Sequence, residues 1–252
     1  MYTTYNGLAH RASSFYNKTN KAMKIMKNDI ELKMRLIEKF GIMTDPNSIE
    51  FCRKAYEFIH SESESDEVTN IMGDPVAVDL GLPSGTKWAD RNVGASKPED
   101  TGLYFSWGNI VGHKAGMDYD FGKSYDSSPG AELKGDIDLE HDAAHVNLGA
   151  PWHMPTKEQF QELVENCTSE RSALNGYLGR RFTSKINGNS IFMPFAGYIS
   201  GTGLSLHGSD GGYWSSSLSS LTYGYVLYFN SGGVYPAYYV SRFHGFSVRA
   251  VQ

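Results

Sequence analysis

Cysteine is nearly absent from this chain, which has 2 cysteines among 252 residues. Cys52 and Cys167 are too few for a disulfide framework, and each lies in a predicted helix, so we expect two buried free thiols. Long apolar runs are missing as well, which excludes a membrane-spanning helix on length. The N-terminal residues MYTTYNGLAHRASS lack an apolar core, so we expect no signal peptide.

An excess of basic residues is also missing. The net charge is -5 at pH 7 and the pI is near 5.9. Because nucleic-acid binding requires a basic patch, we expect no nucleic-acid partner. Lysine and arginine are densest within residues 18–39, where they alternate with methionine and isoleucine. This pattern favours the solvated face of an amphipathic helix over a polyanion-binding site.

Residues 1–70 predict a helical N-terminal segment that ends in an acidic linker. Between Thr19 and Phe40, apolar residues recur at helical steps, namely Met23, Met26, Ile30, Met34 and Ile37. Asp45 and Pro46 begin a second helix, and the polar run SESESDE that ends at Glu67 is typical of a linker. The apolar stripes fit packing on the rest of the chain or on a second copy, so a homo-oligomer through these helices stays open.

Residues 71–252 predict one α+β domain with short strands and one or two helices. The capping-box pattern Thr156-x-x-Gln159 begins a helix whose buried face holds Phe160, Leu163, Val164 and Cys167. The clearest strands are predicted at Ser190–Phe195, Tyr223–Phe229 and Phe246–Val251, with turns at Asn187-Gly188, Gly211-Gly212 and Gly232-Gly233. Residues 112–140 are rich in Gly, Asp and Ser and predict a long irregular loop.

Several residue types are missing from the C-terminal segment although the rest of the chain contains them. From Ser215 to Gln252 the chain contains no Lys, Glu, Asp, Met or Trp, and Tyr, Ser, Gly and Val dominate. Antibody-like binding loops have this composition, because Tyr supplies a large rigid contact area while Ser and Gly adapt around it. We therefore expect a binding face carried on a rigid scaffold.

Segments spread over residues 74–252 resemble one known domain family. They are Val78-Asp-Leu-Gly-Leu-Pro-Ser-Gly-Thr-Lys-Trp-Ala, Asn92-Val-Gly-Ala, Tyr104-Phe-Ser-Trp-Gly, Asp142-Ala-Ala, Trp152-His-Met-Pro-Thr-Lys-Glu, Phe192-Met-Pro-Phe-Ala-Gly-Tyr, Tyr213-Trp-Ser-Ser and Gly245-Phe-Ser-Val-Arg-Ala-Val. Together they resemble a paralogous domain family of gut bacteria and their phages. The resemblance implies a C-type-lectin-like fold related to that of formylglycine-generating enzymes. Those enzymes need a pair of active-site cysteines, which this region lacks, so we expect no enzyme activity.

The small set of residue types in this C-terminal segment extends the resemblance. Residues 214–249 look like the variable region of a diversity-generating retroelement target protein, in which adenines of AAC or AAT codons are randomised. Such codons yield Tyr, Ser, Gly, Val and others but never Lys, Glu, Gln, Met or Trp. Asp is allowed, yet it is absent from Ser215 to Gln252. The implied framework is Trp214, Ser215, Ser216, Leu227, Phe229, Ser231, Gly232, Pro236, Arg242, Gly245, Phe246, Val248 and Arg249. The implied changeable, ligand-binding positions are Leu218, Leu221, Thr222, Tyr223, Tyr225, Val226, Tyr228, Tyr235, Ala237, Tyr238, Tyr239, Val240, Phe243 and His244.

Strand alternation supports this division only in part. If Leu227 and Phe229 point inward, Val226 and Tyr228 point outward, as the division requires. Tyr223 and Tyr225 would then point inward too, unless a bulge or the start of the strand separates them from Leu227.

Metal-dependent chemistry is the weakest of the functional alternatives. His141 and His145 have a metal-compatible spacing and lie near Glu140, Asp142 and His153, but the helical HExxH context is missing. The run from Asp136 to Glu140 offers carboxylates, yet it matches no EF-hand, and the calcium motifs of sugar-binding lectins are absent. We therefore expect no metal and no cofactor.

The resemblance implies a receptor or adhesion protein that binds a protein or glycan on a cell surface. It leaves the location open between a phage virion and a bacterial cell surface. The alternative is a non-variable carbohydrate- or protein-binding module of a surface protein, since a single sequence shows no variation.

Overall fold

The computed structural model describes residues 75–252 except Asp118 and Ser127, and these residues belong to a compact unit spanning Asp74–Gln252. The unit is α+β, with several sheets and few helices, as the sequence predicts. Within this part of the chain, no helix is long and apolar enough to cross a membrane. The helices and linker predicted for residues 1–70, with Cys52, lie outside the described residues.

The described unit contains twelve short strands and four helices. The strands are β1 (Ala77–Asp79), β2 (Lys87–Ala89), β3 (Tyr104–Phe105), β4 (Cys167–Leu174), β5 (Tyr177–Ser184), β6 (Ser190–Pro194), β7 (Tyr198–Ser200), β8 (Gly203–Ser205), β9 (Gly211–Ser220), β10 (Tyr223–Phe229), β11 (Val234–Ser241) and β12 (Phe246–Ser247). The helices are α1 (Phe121–Tyr125), a 3-10 helix (Pro129–Glu132), α2 (Ala143–Leu148) and α3 (Lys157–Asn166).

The largest sheet has five strands in the order β11-β10-β9-β12-β3. Strands β9, β10 and β11 form an antiparallel meander, while β12 lies parallel to β9 and antiparallel to β3. A three-stranded sheet has the order β4-β5-β6, and β1-β2 and β7-β8 are two-stranded. Val251, the residue before Gln252, bridges to both Trp88 and His153. The C-terminal segment is therefore tied to the rest of the unit at several points.

Most of the strongest local signals in the sequence correspond to real elements. Strand β10 has the predicted bounds, and α3 begins with the predicted capping box. The loop predicted for residues 112–140 contains α1 and the 3-10 helix instead of being wholly irregular. The hairpin of β4 and β5, and strand β11, were not predicted.

The turn predicted at Gly211-Gly212 was wrong, because both glycines lie in β9 and are buried. A Cβ at Gly211 would lie 2.2 Å from the Phe229 ring, and one at Gly212 would lie 2.2 Å from the Phe246 ring. The glycines are therefore needed for close packing of aromatic rings against the strand rather than for a positive φ angle.

Two hydrophobic clusters cover opposite faces of the five-stranded sheet. On one face, Leu227 and Phe229 pack with Phe160 and Leu163 of α3. On the other face, Val226 packs in a cluster that contains Trp107, Trp214 and Phe246. The expectation that Val226 points outward was therefore wrong. Its side chain is 0% exposed because the central part of β10 is covered on both faces.

Cys167 is a buried free cysteine, but it does not lie within the helix as predicted. It is the C-cap of α3 and the first residue of β4. Burial raises the pKa of its thiol to about 11, so the thiol is protonated at neutral pH and is a poor nucleophile.

The capping box gives a direct test of how α3 is anchored. Thr156 Oγ1 accepts a hydrogen bond from Gln159 N at 3.2 Å, and Gln159 Oε1 accepts one from Thr156 N at 2.9 Å. Thr156→Ala should lower the free energy of unfolding by about 1 kcal/mol, measured by urea denaturation. Thr156→Ser keeps the hydroxyl, so its free energy of unfolding should stay near that of the parent. Equal losses in the two variants would contradict the cap as the cause.

Candidate ligand-binding surface

The implied changeable positions gather on the hairpin of β10 and β11, on its flanking turns and, for Leu218, near the end of β9. The exposed side chains among them are Leu221, Thr222, Tyr223, Tyr235, Tyr238, Tyr239 and Phe243. The half-buried ones are Leu218, Tyr225, Tyr228, Ala237, Val240 and His244. Only Val226 of this set is buried. The structure thus brings thirteen of the fourteen positions to the surface of one region.

Most of the implied framework positions in the same segment are buried. They are Trp214, Ser215, Ser216, Leu227, Phe229, Arg242, Gly245, Phe246, Val248 and Arg249. Ser231 and Gly232 are exposed, since they form the turn between β10 and β11, where Gly232 N donates to Asn230 Oδ1 at 2.8 Å. Pro236 is half-buried in β11.

Five tyrosines form a continuous chain of ring contacts on this hairpin, which we call the tyrosine ladder: Tyr223, Tyr239, Tyr238, Tyr228 and Tyr235. In that order, successive ring centroids are 5.7, 6.2, 5.2 and 6.2 Å apart. These distances are typical of interacting aromatic pairs, so each ring restricts its neighbours. The ladder therefore offers a large contact area that is already partly ordered.

A bulge in β11 sets which tyrosines are neighbours. Val226 pairs with Tyr238 and Tyr228 pairs with Tyr235, so two residues of β11, Pro236 and Ala237, stand opposite one residue of β10. The extra residue bends the edge strand and brings Tyr235 and Tyr238 to the same side as Tyr228. A bulge is therefore present in β11, and the pairing of β10 with β9 also shifts register between Tyr223 and Gly224 and between Gly224 and Val226, with the extra residues in β9.

Tyr223 and Tyr225 share the side of Leu227 by simple alternation, yet neither is buried. Tyr223 lies at the start of β10, beyond the reach of the cluster around Leu227, and is exposed. Tyr225 is half-buried, and the ammonium group of Lys157 at the start of α3 lies 4.8 Å from its ring centroid. This geometry is a cation–π contact.

Asp210 lies behind the ladder and was missed from the sequence. Its Oδ1 accepts a hydrogen bond from the hydroxyl of Tyr228, and its Oδ2 accepts one from Ser209 Oγ at 2.5 Å. The side chain of Asp210 is buried. Burial, followed by the bond to Asp210, raises the pKa of the Tyr228 hydroxyl to about 12. Asp210 immediately precedes β9, outside the Tyr-rich segment, so no local pattern distinguishes it.

Two tryptophans connect the segment to the rest of the unit. Trp214 Nε1 donates to the Phe105 carbonyl at 2.7 Å, and Trp107 Nε1 donates to the Ser215 carbonyl at 2.9 Å. Trp107 also lies against Gly224, where a Cβ would be 2.6 Å from its ring. These buried contacts hold β9 and β10 in a fixed position beneath the exposed side chains.

The buried Arg242 binds backbone carbonyls rather than carboxylates. Arg242 donates to the carbonyls of Leu133 and Leu221 at 3.1 and 2.8 Å and to that of Gly130, and its guanidinium lies 4.4 Å from the Trp107 ring centroid. Burial lowers its pKa. Arg242 therefore joins the turn after β9 to the 3-10 helix and to the residue that follows this helix.

His244 lies at the margin of the surface among aromatic rings. Its ring centroid is 4.5 Å from that of Phe243 and 5.3 Å from that of Tyr198. Its Nδ1 is buried and makes no hydrogen bond within the described residues. Burial lowers its pKa, which favours the neutral ring at neutral pH. His244 can therefore act as part of an uncharged aromatic surface.

The histidines considered for metal binding are used in local hydrogen bonds. His141 Nδ1 lies 2.6 Å from Asp138 Oδ1, and His153 Nδ1 lies 2.9 Å from the Met154 carbonyl. Asp142 caps α2 by accepting from His145 N at 2.8 Å, and it also accepts from Met154 N at 2.8 Å. Within the described part of the chain, no group of three His, Cys, Asp or Glu is placed to hold a metal ion.

Comparisons with other proteins add nothing to this geometry: no protein-family model, curated protein or solved structure matches the chain. The surface itself has a clear chemical character. Exposed aromatic rings and hydroxyl groups stand on a strongly packed sheet, and clustered exposed aromatics usually mark an interaction site.

Proposed function

We propose that this chain is a ligand-binding protein whose C-type-lectin-like domain presents the tyrosine ladder and its neighbours as a retroelement-diversified binding face. The ligand is a protein or glycan on a cell surface. The mixed α+β architecture, rich in short strands, is compatible with the proposed fold.

One observation carries the proposal. Within residues 214–249, the implied framework side chains are mostly buried, whereas all but one of the implied changeable side chains reach the surface. A diversified protein needs this separation, because random substitution at buried positions usually destabilises the fold by several kcal/mol, while substitution at exposed positions is usually tolerated.

The geometry also supports binding by a few strong contacts. Tyr has only two side-chain torsions, so ordering it on binding costs little entropy, and its hydroxyl provides a hydrogen-bonding group. Ring contacts within the ladder restrict these torsions further before any ligand arrives. We infer that exchange of single side chains changes specificity while the backbone beneath stays the same.

The separation of scaffold and surface predicts opposite outcomes for one type of substitution. The triple variant Tyr235→Ser, Tyr238→Ser and Tyr239→Ser changes side chains that are 46%, 48% and 58% exposed. Its free energy of unfolding should fall by no more than about 2 kcal/mol, measured by thermal and urea denaturation, since exposed substitutions have small effects and the lost ring contacts add a modest amount.

The matched control is Tyr213→Ser, which makes the same chemical change at a fully buried position. The Tyr213 hydroxyl donates to the Pro194 carbonyl at 2.7 Å, and the ring stacks on Phe229. The control should lose about 3–5 kcal/mol of stability through the cavity and the lost hydrogen bond. If the free energy of unfolding fell as much in the triple variant as in the control, the ladder would be part of the core rather than a surface that tolerates substitution.

The diversification itself is tested at the DNA level. The coding sequence should differ from a nearby template repeat only at adenines, and the affected codons should be those of the exposed positions. A reverse-transcriptase gene should lie close by. If the differences also fell on buried positions such as Trp214 and Gly245, or if no template repeat existed, a non-variable binding module would be the better description.

A further inference from the structure

The charge distribution around the tyrosine ladder points to the chemistry of the partner. Between Leu218 and His244, the only Lys, Arg, Asp or Glu is Arg242, and its side chain is buried. The hairpin therefore contributes aromatic rings and hydroxyl groups to its surface but no exposed charge. The charges that act on a bound partner come from the residues that frame it.

Two carboxylates and one guanidinium lie beside the hairpin. The buried carboxylate of Asp210 accepts a hydrogen bond from the hydroxyl of Tyr228. The guanidinium of Arg180 donates to the Asn230 carbonyl at 2.7 Å. Asp136 Oδ1 accepts a hydrogen bond from Leu218 N, in the neighbouring strand β9, at 2.7 Å.

The loop that carries Asp136 is itself acidic. Its exposed charged residues from 132 to 140 are Glu132, Lys134, Asp136, Asp138 and Glu140. The bond from Ile137 N to the Ser216 carbonyl, at 2.9 Å, fixes this loop against β9. The loop therefore adds negative potential to one side of the aromatic surface.

The rings themselves attract cations. An aromatic face carries a negative quadrupole that draws an ammonium or guanidinium group within about 6 Å of the ring centroid. The bond from the Tyr228 hydroxyl to the Asp210 carboxylate increases the electron density of that ring. The hairpin already binds one cation of its own chain in this way, because Lys157 lies over Tyr225 on the other side.

We infer that the partner is a protein with an exposed arginine or lysine, whose cationic group lies on the rings of Tyr228, Tyr235 and Tyr238 with Asp210 behind them. This inference rests on the proposed binding function and adds the chemical class of the ligand. A protein fits better than a glycan, because neutral or acidic sugars carry no cation for these rings. An acidic partner would be repelled by Asp136 and its loop.

A selection from a random dodecapeptide display library, with the full chain as bait, tests the inference. Peptides enriched on the parent but not on the Tyr235→Ser, Tyr238→Ser, Tyr239→Ser variant should carry a conserved Arg or Lys. Replacing that residue with Gln in a synthetic peptide should weaken binding about tenfold, measured by calorimetry. This replacement is made in the peptide, so it does not depend on how a protein variant folds.

The role of Asp210 is tested with two neighbouring variants. Asp210→Asn keeps an acceptor for Tyr228 but removes the negative charge, so it should weaken the selected peptide about fivefold and flatten the salt dependence of binding. Ser209→Ala removes the other hydroxyl that contacts Asp210 and keeps the charge, so its affinity should match the parent.

The two hypotheses fail in different ways. Ladder-dependent peptides without a conserved Arg or Lys, or with Asp or Glu in its place, would contradict the inference of a basic partner. They would still support the tyrosine ladder as a binding face. A selection that yielded no ladder-dependent peptide would overturn the binding face and the basic partner together. An unchanged affinity in Asp210→Asn would overturn the contribution of the buried carboxylate.

Discussion

Trp214→Ala is expected to lower the free energy of unfolding by about 4 kcal/mol, which is a large fraction of the stability of a typical domain. The side chain is fully buried, its ring centroid lies 5.0 Å from that of Phe246, and its Nε1 donates to the Phe105 carbonyl at 2.7 Å. Truncation leaves a cavity within the cluster that also holds Trp107, Val226 and Phe246. It also leaves a buried carbonyl without its donor.

Circular dichroism during urea denaturation measures this loss without relying on tryptophan fluorescence. The free energy of unfolding should fall clearly less in Trp214→Phe than in Trp214→Ala. The Phe variant keeps most of the apolar volume and loses only the hydrogen bond and part of the packing. Tyr239→Ala, at an exposed position of the same sheet, should change stability by no more than about 0.5 kcal/mol. A Trp214→Ala protein as stable as Tyr239→Ala would show that Trp214 is not a framework residue.

Arg249→Ala is expected to have an effect of similar size, about 3–5 kcal/mol, for a different physical reason. The guanidinium is fully buried and donates to Asn92 Oδ1 at 2.8 Å, to the Ala89 carbonyl at 3.0 Å and to the Phe192 carbonyl at 3.0 Å. Burial lowers its pKa to about 10, so the group stays charged at neutral pH. Removing it leaves three acceptors unpaired where water does not reach.

The variant Arg249→Lys distinguishes the contribution of the positive charge to stability from that of the planar guanidinium group. An ammonium group keeps the charge but cannot reproduce the planar fork that reaches three acceptors, so this variant should also lose at least about 2 kcal/mol. Arg171→Ala removes the same charge at an exposed position and should have little effect on the denaturation midpoint. If Arg249→Lys had the stability of the parent, the three-acceptor arrangement would not contribute as described.

Features that depend on neighbours in the chain could be predicted from the sequence. The capping box of α3 needs only Thr156 and Gln159, three residues apart, and it is present as predicted. The bounds of β10 follow from its aromatic and β-branched residues between turn signals. The change of composition after Ser215 also marked the segment that carries the exposed aromatic surface.

Features that depend on distant residues could not be predicted in this way. Gly211 and Gly212 look like a turn in sequence, but they lie in a strand because the rings of Phe229 and Phe246 need their space. Strand β11 was missed because Pro236 and the flanking glycines resemble loop signals, while the strand tolerates Pro at the edge of the sheet and accommodates a bulge.

Period-two alternation by itself determined which side chains of β10 share a face, and the packing follows it from Val226 to Phe229. Only the tertiary structure decided which of those side chains meet solvent. Val226 is buried because Trp107 and Trp214 cover its face, and Tyr228 is held against Asp210 from outside the segment. Alternation is a property of the local backbone, whereas burial depends on what the rest of the chain packs against each face.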